Sequence, residues 1–126
     1  IVTGKTSSLL GASAAVLLNA LKTVAGIDDS IELISPETLE PICRLKTTML
    51  GNRNPRLHSD EVLIALAASS FFSADAKKAM DAIPLLRGCD AHFSVIISSV
   101  DEKTYKKLGI NVSCEPRYEH KTLYHK

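Results

Sequence analysis

The sequence has no tryptophan and few other aromatics, three Phe and three Tyr in 126 residues. Rings of this kind build the platforms on which nucleobases stack, so their scarcity argues against a single-stranded nucleic-acid binder. Neither sign of charge is in excess: 15 Lys and Arg face 14 Asp and Glu, for a net charge of +1. No charge-driven partner follows from that balance, neither nucleic acid nor a membrane surface. Long apolar runs are missing too. The two longest, residues 14–18 and 62–68, fall far short of the ~20 residues that cross a bilayer. Cysteine is sparse, with Cys43, Cys89 and Cys114 scattered and odd in number. That pattern does not make a disulfide scaffold and points to a reducing, cytoplasmic setting. The chain opens on Ile1 without a Met and reads as a piece of a longer protein.

What is present is ordinary globular composition, 45% apolar and 23% charged. A chain of this size buries roughly two thirds of its unfolded surface, enough for one core. Thr6, Ser7 and Ser8 offer helix caps, and an Ala- and Leu-rich helix is expected to run to Ala25 with Gly26 as its stop. Leu10, Ala14, Leu17, Leu21 and Val24 share its inner face. Residues 31–34 read as a short strand. Ser35-Pro36-Glu37 then starts a helix to Leu50, with Leu39, Ile42, Cys43 and Met49 inward. Pro41 is expected to kink or restart it.

Residues 51–58 form a break. Ser59 is read as the cap of an apolar helix through Phe72, and Ser73 as the start of another ending near Pro84. Residues 92–99, rich in β-branched side chains, read as a strand. A short helix over 101–108 and a strand over 110–114 follow. Strand–helix–strand favours a parallel pair. The fold class expected is α/β: a small, mostly parallel three-stranded sheet layered with about five helices, part of a larger α/β protein. Residues 1–116 read as one domain and 117–126 as a polar C-terminal tail.

Several residue groups could carry chemistry. Gly4-Lys5-Thr6 is like the end of a phosphate-binding loop, although the first Gly of that motif would precede the chain. Arg53 and Arg56 stand in the break before His58, in a stretch of residues 44–58 without an acid, and their planar forks suit phosphate or carboxylate. Arg87 precedes Cys89 and His92. Cys89, His92 and His58 could supply a thiol nucleophile and a base, or with Cys114 a zinc site. Parallel strands would place Cys89 and Cys114 at opposite ends, roughly 20 Å apart at ~3.3 Å per residue, too far for one metal. Ser98, Ser99, Asp101 and Glu115 fall near the C-terminal ends of the two strands, where open α/β sheets bind ligands. The plainer reading is that Ser99 or Asp101 caps the short helix. Lys103, Lys106 and Lys107 read as a solvated face.

Four blocks carry a family resemblance: Thr3-Gly4-Lys5-Thr6-Ser7-Ser8-Leu9, residues 57–66, residues 86–92, and Lys107-Leu108-Gly109-Ile110-Asn111-Val112. Together they resemble the C-terminal part of a bacterial family, domain of unknown function 1846, and the likeness runs over nearly the whole chain. It implies a longer parent with an α/β N-terminal domain as this segment's partner, and an ending at 123–126 like the family's own. Some members carry an ATP-dependent zinc peptidase label. This segment has neither His-Glu-x-x-His nor a complete phosphate loop. No catalytic residues carry over from the family, and the cofactor is left unknown.

The expectation is therefore an anion-binding domain. Lys5, Thr6, Arg53, Arg56, His58 and Arg87 would hold a phosphate- or carboxylate-bearing small molecule at a cleft shared with the N-terminal domain. The alternatives are a structural or oligomer-forming domain and a metal- or thiol-dependent hydrolase.

Overall fold

Gly11 is the last extended residue before the first helix, α1 (Ala12–Ala25), which ends where Gly26 adopts φ +71° and donates its amide to Thr23. The computed structural model describes residues 2–114. Thr6, Ser7 and Ser8 do not start α1. They lie in an extended lead, where the Ser7 hydroxyl accepts from the amides of Leu9 and Leu10 and fixes a turn. Gly4, in the same lead, lies against α1. A Cβ there would stand 2.5 Å from the Val16 nitrogen, so the position requires glycine for close approach.

Ser35 caps α2 (Pro36–Arg44) by accepting from the Thr38 amide. Pro41 removes one helical donor, yet the helix does not restart there and runs on into a π turn, Leu45–Met49. Leu39, Cys43 and Lys46, four and three residues apart, share one helical face, and Met49 lies off it. Leu39 and Cys43 are buried as expected, but Met49 is 77% exposed and Lys46 is the buried residue.

Next come α3 (Ser59–Ser69), α4 (Ala74–Asp81) and a 3₁₀ turn (Ile83–Leu86). The sheet follows as β1 (Asp90–Phe93), α5 (Ser99–Lys107) and β2 (Asn111–Cys114). β1 and β2 pair in parallel, Asp90 opposite Asn111 through Phe93 opposite Cys114. The expected third strand is not found. Residues 31–34 are bent, and consecutive Leu33 and Ile34 both enter the core, which an alternating strand does not allow. The other expected strand is displaced to 90–93. Its β-branched centre, Val95 and Ile96, turns aside and is exposed before α5 begins. Among the described residues the sheet therefore has two strands, with one isolated parallel bridge between Leu10 and Leu57.

The core lies between α1, α3, α4, α5 and the sheet, built on Leu17, Leu21, Val62, Leu66, Leu86 and Tyr105. A fully buried Leu contributes about 2 kcal/mol, so these residues dominate the cohesion of the helices. Tyr105 also packs edge-on against Phe93, and its hydroxyl donates to the Ser13 carbonyl at 2.6 Å. Burial pushes that hydroxyl's pKa well up, and the nearby Asp101 charge adds to the effect. The bond ties α5 to the first turn of α1. Residues 117–126, expected as a tail, and Glu115 lie outside the described residues.

Candidate functional site

The starts of α1, α3 and α5 converge. The Gly11 amide donates to the Leu57 carbonyl at 3.1 Å, and the Leu57 amide to the Leu9 carbonyl at 2.9 Å. These bonds set the lead into α1 beside the lead into α3. His58, not Ser59, is the residue at the N-cap position of α3, and the Glu61 carboxylate accepts its backbone amide at 2.7 Å. Ser59 is instead the first helical residue and is fully buried.

Its partner is Asp101 from α5, 5% exposed. Oδ1 of Asp101 accepts from the Ser59 amide at 2.8 Å and from the Ser59 hydroxyl at 2.7 Å. Oδ2 accepts from the Ser98 hydroxyl at 3.1 Å and faces His58 Nδ1 at 3.3 Å. Burial on its own would raise the pKa of this carboxyl. The bonds from Ser59, helped by Ser13 and His58, outweigh it and hold the group below the ordinary carboxylate range. Asp101 is therefore held as an anion, with the His58 ring against its Oδ2. The imidazole's other nitrogen, Nε2, has no hydrogen-bond partner among the described residues.

A cleft of about 360 Å³ opens onto this network. Thr6, Arg56, His58 and Asp101 line it, with the first turn of α1 (Ala12 and Ser13) on one side and residues 95–98 on the other. α1 has no side-chain cap and no acid in its first turn. Its leading amides are thus left to water or to a ligand, at the positive end of the helix. Arg56 is braced by donating Nε to the Ser7 carbonyl at 2.6 Å. A second hollow adjoins behind His58, lined by Lys46, Asn52, Arg53, Asn54 and Glu61. There the buried Lys46 ammonium donates to the Arg56 carbonyl at 2.7 Å and to Glu61 at 2.8 Å.

Thr6, Arg56 and His58 of the predicted anion set thus share one cleft, and Arg53 lines the adjoining hollow. Lys5 is exposed and lines neither. Its Gly-Lys-Thr stretch does not open a helix, as a phosphate loop would require. Arg87 packs over Gly109, before the N-terminal ends of the strands and away from the cleft. Cys89 and His92 line a separate cavity of about 470 Å³ between α1 and β1, mostly apolar, where His92 Nδ1 meets the Ser113 hydroxyl at 2.8 Å. His58 is not with them. Cys89 and Cys114 are separated along the strands by about four residues, or ~13 Å, closer than expected but still too far for one metal. Among the described residues no group of three or more His, Cys, Asp and Glu could hold a metal ion.

Sequence reasoning missed Ser59, Lys46 and Glu61. Ser59 and Asp101 each read as a cap of its own helix, and the bond between them spans 42 positions. Nothing local announces it.

Comparison with known proteins now decides the family. The model for domain of unknown function DUF1846, C-terminal, matches residues 1–124. The chain belongs to this family. UPF0371 proteins are its relatives: 60% identical in Corynebacterium efficiens, 54% in Corynebacterium diphtheriae and 51% in Streptococcus thermophilus, each over 126 residues. All of this chain is covered in each case, but only 25–26% of the relative's length. This DUF1846 chain is therefore the C-terminal part of a longer protein, and no activity is named for it. No helix among the described residues is long and apolar enough to cross a membrane.

Proposed function

We propose that the domain binds a small molecule through a phosphate or carboxylate group in the cleft where α1, α3 and α5 begin. One observation carries this reading: Thr6, Arg56, His58 and the uncapped first turn of α1 line the same cleft. A guanidinium fork, a hydroxyl and helix amides are the donors that an oxyanion group takes. Lys5 and Arg87 do not line this cleft, and the proposal is built without them. The relatives are about four times longer, and we assign the remaining wall of the cleft to their N-terminal part. The three cysteines, all free thiols, support a cytoplasmic setting.

The test is thermal unfolding of the chain with sulfate, phosphate or acetate against chloride at matched ionic strength. A ligand at a hundred times its Kd adds about 2.7 kcal/mol of stability. Sulfate and phosphate are expected to stabilise the wild type and to lose most of that effect in Arg56→Gln. Equal behaviour of all the salts, or of both proteins, rejects the reading.

A second reading has its own observation. Phe71 and Phe72 stack edge-on at 5.4 Å and are both largely exposed at the end of α3. Such a pair suits a contact with another protein surface. A shift in sedimentation between wild type and a Phe71→Ser/Phe72→Ser double variant would favour a packing domain.

A further inference from the structure

α3 has two apolar faces, and the described fold covers one of them. Val62, Ala65 and Leu66 enter the core. Ile64, Ala67 and Ala68, three and four residues apart, share the opposite side and are exposed. The turn that follows α3 extends this stripe with Phe71 and Phe72, 86% and 88% exposed. Their amides donate to the Ala68 and Ser69 carbonyls, so the backbone that carries the rings is tied to the helix end. No charged residue occurs from Val62 through Ala74. A helix that is apolar all round is one that is covered on both sides. Two alanines between larger side chains also leave a shallow seat that lets another element come close.

The size of the stripe bears on what covers it. Two Phe rings of about 150–250 Å² each, with Ile64 and the alanines, offer roughly 400–500 Å². A stable pair of free proteins takes about 800 Å² on each partner. Domains of one chain hold together through about 600–1,500 Å² in total, helped by the link between them. The stripe fits the second case. About three quarters of each UPF0371 relative lies outside the stretch that this chain matches. The path of the chain into the domain agrees. The Asn19 side chain of α1 donates to the Thr3 carbonyl at 2.8 Å, and Val2 and Thr3 meet Thr23 and Val24, in the last turn of α1, around one cavity. α1 and α3 start side by side and pack together. The last turn of α1 and the Phe71–Phe72 pair therefore lie toward the same end of the domain. A segment joined ahead of Val2 starts from the end where the rings stand.

We propose that in the full-length protein the N-terminal part docks on the outer face of α3, through an uncharged apolar surface seated on Ala67 and Ala68 and closed by Phe71 and Phe72. The proposal rests on the second reading above, that the Phe pair marks a contact surface, and commits it to cover from within the same chain. α3 then serves both parts. Its inner face builds the core of this segment, and its outer face joins the segment to the rest of the protein.

The test is hydroxyl-radical footprinting of the full-length protein beside the 126-residue chain, with oxidation of Phe71 and Phe72 read by mass spectrometry. Oxidation follows exposure, so in the full-length protein it should fall by about tenfold, the ratio between a ring 86% exposed and one packed as in a protein interior. The protection should not change on dilution, because the two parts share one chain. Ala68→Lys sets bulk and charge where the docked part comes closest. In the full-length protein it should return the oxidation of both rings to the level of the 126-residue chain. In the 126-residue chain it should leave the unfolding midpoint unchanged, since Lys is a good helix former and its charge suits a last turn. Protection that survives Ala68→Lys overturns the proposal. Protection lost on dilution, in either form, means that a second copy covers the stripe, which overturns the proposal and leaves the contact surface standing. Equal, full oxidation of both forms at every concentration overturns the proposal and the contact surface together.

Discussion

His58 and His92 stand on the same small domain in opposite settings. His58 lies where three helices begin, against a buried anion whose every oxygen is engaged. His92 lies on an exposed strand position, bonded to the Ser113 hydroxyl beside a mostly apolar cavity. In sequence both read as candidate bases, His58 at the end of a break before a helix and His92 at the start of a strand. The difference is made by what sits across from them. A carboxylate desolvated by its surroundings and held by fixed donors keeps its charge and orients a ring. A surface hydroxyl is replaceable by water at little cost. The more a polar group is built into the fold, the more of the fold should depend on it.

The largest break in that comparison should come from Asp101→Ala. It strands the buried Ser59 amide and hydroxyl without an acceptor and undoes the junction of α3 with α5. The expected loss is about 3 kcal/mol in urea unfolding, in line with the removal of one partner from a buried charged network. The pH dependence has a definite sign. The Asp101 pKa is held below its ordinary value of 3.8, so its contribution is complete above that value. It fades as pH falls through the lower folded value. The stability gap between the wild type and Asp101→Asn should therefore be constant from neutral pH down to about 4 and narrow below it. A gap that widens in acid would contradict the assignment of Asp101 as the anion.

Lys46 comes next. Its ammonium, 5% exposed, joins the Arg56 carbonyl to Glu61 and through Glu61 to the His58 amide. Lys46→Met keeps the apolar stem and removes the joint. About 2 kcal/mol of stability should be lost, less than for Asp101 because Glu61 can turn to water. Amide hydrogen exchange should quicken at residues 56–58 and stay unchanged in β1 and β2. Quickening in the strands would mean that the two regions are coupled after all.

How much of this could be read from residue order depended on the distance over which each feature is decided. The stop at Gly26, the Ser35 and Ser73 caps and the parallel pairing of β1 with β2 were legible because each is settled within a few residues or by one short connection. Ile31–Ile34 had strand propensity but no neighbouring strand to pair with, and its two adjacent apolar side chains went into the core together. Lys46 shares the Leu39–Cys43 face at ordinary helical spacing, but its charge does not read as inward, whereas Met49 reads inward by its apolarity although it lies six residues past Cys43. At the cleft, Arg56 and His58 were visible as residue types, and Thr6 arrived there for a different reason from the one expected. Gly4 serves close packing on Val16, and Thr6 reaches the cleft because the lead to α1 runs past it. The Ser59–Asp101 bond, which organises the site, joins two residues that each read locally as a helix cap, a place that His58 and Ser98 take instead, so nothing near either residue in the sequence announces it.

The smallest effect is expected on the other side of the comparison. Ser113→Ala removes the hydroxyl that meets His92, on a strand position that is exposed. Water takes over the bond, and the strand keeps its backbone pairing of His92 with Ser113. Stability should change by no more than about 0.5 kcal/mol, the range of surface substitutions. Sulfate affinity should stay within about twofold of wild type, since additivity holds for sites that share no partner. Guanidinium unfolding and calorimetry on the same preparation measure both. A loss comparable to that of Lys46→Met, or a weakened sulfate site, would show that the β1 cavity and the helix-start cleft work as one.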